Sequence, residues 1–180
     1  DVRTDGQGNQ FAPEQEPYQE YTTNFAADSS GWSAEPYLLA LTSGRHELTI
    51  TPVSGELKLR YIVLGVPESV GPYTAPSDKS DFYSGENIVM QGEQAAYKNS
   101  YWLVSKSDTA SPLVSPSDAV KSKVNYIRGK NWKRAGDTIA WKVDIKTAGY
   151  YQVGFSYRQS TLLNSSSYRW LKVDGKTPFA

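Results

Sequence analysis

"AWKVDIKTAGYYQVGFSYR", Ala140 to Arg158, holds two runs of alternation around a Thr147-Ala148-Gly149 turn. Trp141, Val143 and Ile145 alternate with Lys142, Asp144 and Lys146. Tyr151, Val153, Phe155 and Tyr157 then alternate with Gln152, Gly154, Ser156 and Arg158. Successive side chains of a strand point to opposite faces, so a period of two gives each run one apolar and one polar face. A helix would need apolar residues recurring every three to four positions, and that pattern is almost absent. Two such strands joined by a tight turn describe an antiparallel sheet covered on one side. The predicted fold class is all-β, an antiparallel β-sandwich, with Trp141, Tyr151 and Phe155 filling its core.

The same pattern recurs on both sides of this stretch. Tyr37–Leu41 and His46–Thr51 read as strands joined across Thr42-Ser43-Gly44, and Leu57–Leu64 as a third strand after Ser54-Gly55. Arg169–Val173 reads as the last strand, closed by an Asp174-Gly175 turn. Short strands around Gly92 and a proline-serine loop, "SDTASPLVSPSDAVKSK", complete the later part. Near the start, Gly6, Gly8 and Asn9 mark a turn, and Pro13 and Pro17 resist regular ladders. Gly65 to Gly85 has three prolines and no apolar periodicity, which is linker chemistry. The expected organisation is a strand-rich block at 1–65, a linker at 66–83 and a second block at 84–180.

Composition narrows the function. The 180 residues are 38% hydrophobic and 21% charged, as in a globular rather than a disordered chain. Nineteen basic residues balance nineteen acidic ones, so no basic surplus points to nucleic acid or to an anionic membrane surface. With no cysteine and one histidine, His46, neither a disulfide scaffold, a thiolate metal site nor a histidine-rich zinc site can be assembled. No apolar run approaches the ~20 residues that span a bilayer. Two carboxylates about 5–10 Å apart would suffice for glycoside hydrolysis. The acids here fall mostly in loops or on polar strand faces, however, and no enzyme is expected. "DGQGNQ" lacks the preceding strand and following helix of a dinucleotide loop.

Aromatic residues beside polar ones are the candidates for binding. Sugars stack a CH face on Trp or Tyr while neighbouring polar groups fix their orientation. Trp132 sits among Lys130, Asn131, Lys133 and Arg134, and Tyr101-Trp102 follows an opening strand. Tyr157, Arg158, Tyr168 and Arg169 bracket the polar loop "QSTLLNSSS". Trp132, Tyr157, Arg158, Tyr168 and Arg169 are therefore the ligand-binding candidates. The alternatives are core packing for Trp132 and ordinary surface positions for the others.

"NWKRAGDTIAWKVDIKTAGYYQVGFSYRQ…YRWLKVDGKTPF" resembles the middle of a carbohydrate-binding module of the galactose-binding-like jelly-roll type. It is similar above all to the sandwich domains of extracellular solute-binding lipoproteins of Gram-positive bacteria, which accompany ABC transporters for sugar uptake. The resemblance covers about Ile88 to Phe179. "DGQGNQFAPEQ…EPYLLALTSGRHELTI" is similar to the other half of such a domain, so the 1–65 block resembles a C-terminal half and the 84–180 block an N-terminal half. The chain also begins at Asp1 without a methionine, and it reads as a piece of a longer one spanning two half-domains. If it folds alone, Pro36 to Leu64 is expected to complete the sheets of the second block.

What the resemblance implies is a non-catalytic carbohydrate-binding module at the cell surface. Its partners would be a carbohydrate and a neighbouring solute-binding domain, without nucleic acid and without direct membrane insertion. A structural spacer, or an accessory module of a secreted polysaccharide-degrading enzyme, stands beside that reading. Related modules hold a structural calcium partly through an E-x-E pair on the opening strand. Here the first acid is Gln91, which leaves Glu93 as a metal ligand or as a plain edge carboxylate.

Overall fold

A computed structural model describes residues 2–17, 21, 23–28, 30, 35–55, 57–66, 70–110, 113–127, 132–158 and 167–179. The chain divides into two units, Asp1–Pro17 with Pro76–Thr161, and Tyr18–Ala75 with Leu162–Ala180. One of the cuts between them falls inside the 66–83 segment read as a linker. Among the described residues there is no α-helix, and every strand ladder is short and antiparallel.

In the first unit the turn at the start of the chain forms as its residue types dictate. Asp5 Oδ1 accepts the backbone N–H groups of Gln7 and Asn9 at 2.9 and 2.8 Å, while Asn9 Nδ2 donates to Oδ2 at 3.0 Å. Gly8 takes the positive φ of 84° that closes the turn. The flanking strands β1 (Arg3–Thr4) and β2 (Gln10–Phe11) pair with Arg3 opposite Phe11. Asn9 and Gln10 then hold the distant segment 122–124. Gln10 N–H donates to Ser122 O at 2.8 Å, and Val124 N–H donates to Gln10 Oε1 at 3.2 Å.

The rest of the unit is built from β3 (Tyr97–Lys98), β4 (Ser105–Lys106), β5 (Tyr126–Ile127) and β6 (Ile139–Ala140). β3 pairs with β6, Tyr97 opposite Ala140, and β4 pairs with β5, Ser105 opposite Ile127. A 3-10 turn, Gly92–Gln94, packs on β4 and β5. Leu103, Val124 and Ile139 form the apolar centre. Leu103 is the fully buried member, worth about 1.5–3 kcal/mol relative to exposure.

Polar groups support this small core. The buried Asn125 side chain accepts the N–H of Asp108 at 2.8 Å and donates to the carbonyls of Asp108 and Pro116, both at 2.9 Å. One amide thereby fixes the start and the middle of the proline-serine loop. Trp141 Nε1 donates to the carbonyls of Gln91 and Gly92 at 3.2 and 3.3 Å, fastening the 3-10 turn from the other side.

The Thr147–Gly149 turn leads into a parallel bridge between Phe82 and Tyr150, with Tyr150 N–H donating to Asp81 O at 2.8 Å. A Cβ at Gly149 would lie 2.7 Å from that carbonyl, so glycine is required by the close approach. Tyr151 stacks on Tyr83 with ring centroids 4.4 Å apart, whereas Phe155, expected in the core, is 70% exposed. Beyond the bridge at Tyr150, the runs 141–146 and 151–158 carry no ladder.

In the second unit the Asp174-Gly175 turn forms as expected, with φ of 50° and 78° and reciprocal backbone bonds between Val173 and Lys176. Two positive φ values in succession are what a type I′ hairpin turn demands. His46 Nε2 donates to Thr42 O at 2.9 Å across the Thr42–Gly44 turn, which gives the single histidine a structural task. Tyr37–Leu41, His46–Thr51 and the described part of Leu57–Leu64 carry no ladder, and Leu38, Ile50, Leu57 and Leu64 are exposed. Alternation assigns each residue to a face of a strand. It does not supply the second strand whose N–H and C=O groups make the ladder.

Asn125→Ala is expected to destabilise the first unit by about 2 kcal/mol, because the groups it serves lose their partners. Gly149→Ala should cost about 1–3 kcal/mol through overlap with the Asp81 carbonyl. Urea unfolding followed by tryptophan fluorescence measures both.

Candidate functional site

Because β3 and β6 are antiparallel, the chain leaving β3 and the chain entering β6 meet at the same end of the pair. Asn99 carries the pairing one step further. Its N–H donates to Thr138 O at 3.2 Å, its Oδ1 accepts Thr138 N–H at 2.8 Å, and its Nδ2 donates to Gly136 O at 2.6 Å. Two four-residue turns are thus held together. Ser100–Leu103 is closed by Leu103 N–H donating to Ser100 O at 3.2 Å, and Arg134–Asp137 by Asp137 N–H donating to Arg134 O at 3.2 Å. Gly136, third in its turn, takes a φ of 86°, where a side chain would be strained.

The buried Leu103 anchors the first turn from below and leaves Tyr101 and Trp102 at its corner. Tyr101 is 76% exposed and sets the edge of its ring on Trp102, centroids 4.4 Å apart at 61°. The Arg134 guanidinium carbon lies 3.9 Å from the centroid of the Trp102 ring, a cation–π contact. Trp102 Nε1 makes a long contact of 3.5 Å to Asp137 Oδ2, and Trp132 Nε1 donates to Asp137 O at 2.8 Å. The half-buried Lys98 ammonium donates to Tyr101 O at 3.4 Å, and burial lowers its pKa from the usual lysine value. The platform therefore joins exposed π surface to an amide, a carboxylate and a guanidinium.

Sequence reasoning marked Trp132, Tyr101 and Trp102 and noted Arg134 as a flanking residue. It did not bring the two turns together, since the Asn99–Thr138 contact spans 39 positions. The other candidates lie elsewhere. Arg158 is ion-paired with Asp108, and Tyr157 is exposed. Tyr168 and Arg169 belong to the second unit, where Arg169 Nη1 donates to Tyr168 O at 2.7 Å. The loop between these pairs, 159–166, together with Lys130 and Asn131, lies outside the described residues. A surface depression of ≈ 340 Å³ is lined by Asp81, Ala148, Gly149 and Tyr150. Asp81 is its single ionisable side chain apart from the Tyr150 phenol.

Glu93 is 4% exposed, and its Oε2 has no hydrogen-bond partner. Burial raises its pKa above the ordinary 4.5, against a smaller lowering from its own backbone N–H. Calcium takes six to eight oxygen ligands. Among the described residues no group of three or more His, Cys, Asp or Glu side chains converges on any point. Among the described residues Glu93 thus brings one orphan oxygen without a cluster of acids round it, which falls short of the carboxylate-rich calcium site that the resemblance implies.

Comparison with protein-family models, curated proteins and solved structures returned no match.

The raised Glu93 pKa makes stability depend on pH. Above pH 4.5 the unfolded chain releases a proton that the folded one keeps, so the contribution is full below 4.5 and is lost as pH rises through the folded pKa. Asp5, Asp78 and Asp118, held below 3.8 by hydrogen bonds, act in the opposite sense and only at more acid pH. Glu93→Gln should abolish the decline above pH 4.5 and raise the urea midpoint at pH 7 relative to the parent. Equal midpoints at pH 7 would contradict the burial argument.

Proposed function

We propose that the chain is a non-catalytic carbohydrate-binding module of the galactose-binding-like jelly-roll type. Its parent would be an extracellular, cell-surface solute-binding protein of the sugar-uptake kind. The observation that carries the glycan reading is the Tyr101–Trp102 corner. Its aromatic surface is presented on a turn fixed by a buried leucine and an asparagine clamp. Exposed rings normally fold down onto apolar neighbours, and holding one up beside polar groups suits the CH face of a sugar. The groups round it orient rather than react. Asp137 is the carboxylate contributed by the two turns, and a glycosidase needs two carboxylates flanking one bond.

The fold, the location and the parent protein rest on the sequence resemblance. The short antiparallel ladders and the absence of an α-helix among the described residues are consistent with the all-β part of it. No helix among the described residues is long and apolar enough to cross a membrane.

A spacer without ligand is the second reading, and the Arg158–Asp108 ion pair favours it for the Tyr157–Arg169 rim, since that guanidinium is already engaged. A glycan-array screen of the chain, shown to be folded by near-ultraviolet circular dichroism, separates the two. Glycan binding weakened about tenfold by Tyr101→Ala and retained by Tyr168→Ala is the expected result. Absence of binding to every glycan would leave the spacer.

A further inference from the structure

The charge of the platform points to the class of sugar. Among the described residues the ion pairs are Arg3–Glu14 and Arg158–Asp108, so the Arg134 guanidinium has no carboxylate partner among them. Its carbon lies over the Trp102 ring, and Arg134 is exposed to solvent. Stacking uses the face of a guanidinium and leaves its five N–H donors at the edge. A planar fork resting on a ring loses less freedom on receiving a ligand than a loose side chain would.

The surroundings reinforce this. Lys98 ends β3 and Lys133 immediately precedes the second turn, and Asp137 is the acidic residue of the two turns. The Asp137 carboxylate faces the Trp102 indole N–H and forms no ion pair with Arg134. Two turns that expose an aromatic ring and a fork of donors suit a ligand with both an apolar sugar face and an anionic group.

We propose that this platform binds an acidic sugar residue, its ring over Tyr101 and its oxyanion on the Arg134 guanidinium. The inference rests on the glycan-binding reading and narrows it. A carboxylate, as in a uronic acid, meets the fork with two parallel N–H···O bonds, and a sulfate ester presents the same pair of oxygens. Neutral sugars satisfy the ring contact alone and bind more weakly. Tyr101 sets where the ring lies, and Arg134 sets which ring is chosen.

The experiment is titration calorimetry on the full chain with three probes: oligogalacturonate, the same oligomer fully methyl-esterified, and a sulfated galactan. Each is titrated into the parent and into Tyr101→Ala, Arg134→Met and Arg134→Lys. Oligogalacturonate should bind at least about tenfold more tightly than its ester, and Arg134→Met should erase that difference. Arg134→Lys should keep only part of the preference, since an ammonium brings charge without the fork. Tyr101→Ala should weaken all probes. Added salt should weaken the acidic probe and spare the ester.

Sulfated galactan behaving like oligogalacturonate extends the ligand class to sulfate esters; failure of sulfate alone restricts it to uronates, and both support the proposal. Ester and acid binding equally, with both lost in Tyr101→Ala, would overturn the acidic preference and leave glycan binding standing. Acid-selective binding indifferent to Arg134 would place the site elsewhere. No binding to any probe would overturn the preference for acidic sugars, and with no hit on the array would remove the glycan reading as well. Both substituted side chains are exposed, so loss of fold does not confound the comparison.

Discussion

Everything on the β3–β6 end hangs on the Asn99 amide. Two backbone pairs, Tyr97–Ala140 and Lys98–Ile139, bring together segments that are far apart in sequence. Without Asn99 they would diverge there, because a turn must begin on each side. Its side chain imitates a peptide group, taking the N–H of Thr138 and giving N–H to Gly136 O. Each bond is worth about 1 kcal/mol net, and ordering each residue of a turn costs about as much. The clamp can therefore hold the two turns only because the ladder has already met the cost of bringing them together. Removing Asn99 would free the turns while leaving the ladder in place.

The first unit shows how a chain with a small apolar centre stays specified. Leu103, Val124 and Ile139 cannot by their area alone choose one arrangement of the long loops. Side chains that match backbone groups make the choice. Asn125 closes the proline-serine loop, Asp5 and Asn9 close the first turn, Ser105 Oγ donates to Glu93 O at 3.0 Å, and Trp141 ties down the 3-10 turn. Such contacts are directional, so an alternative packing would strand several polar groups at once. Glu93 departs from the rule. Its carboxyl is buried at the centre of this network with one oxygen unpartnered, a cost that nothing else in the unit repeats among the described residues.

Turns were the most legible part of the sequence, because their chemistry is local. Asp174-Gly175, Gly8 within "DGQGN" and the Thr42–Gly44 turn are each settled by residues that touch one another or that alone tolerate a positive φ. Strand faces were legible and strand partners were not. Phe155 lies in an alternating run and is still exposed, since the run carries no ladder and alternation alone does not supply the layer that covers a face. The site divides along the same line. Trp132 and the cations after it announce a polar aromatic turn, and Tyr101-Trp102 announces another, but nothing within either says that Arg134 will lie on Trp102. The ion pair of Arg158 was hidden for the same reason, because its partner Asp108 is 50 residues away.

Zero net charge and a locally cationic platform are compatible because electrostatic selection is short-ranged. At physiological salt the screening length is about 8 Å, so a ligand on Trp102 responds to the charges of these two turns and hardly to the remaining ionisable groups. Overall neutrality argues against a polyanion such as nucleic acid, which needs many basic contacts spread along its length. It says nothing against a single carboxylate or sulfate. In the proposed complex the guanidinium over Trp102 would discriminate by geometry as well as charge, meeting an oxyanion with its edge. A sugar bearing one acidic group beside an apolar ring face matches that edge and the Tyr101 ring together. A small inorganic anion would forgo the stacking, and a neutral sugar would forgo the fork. On the proposed reading the specificity would lie in requiring both contacts on one residue of a glycan, which is why two turns that meet at one end of the ladder build it together.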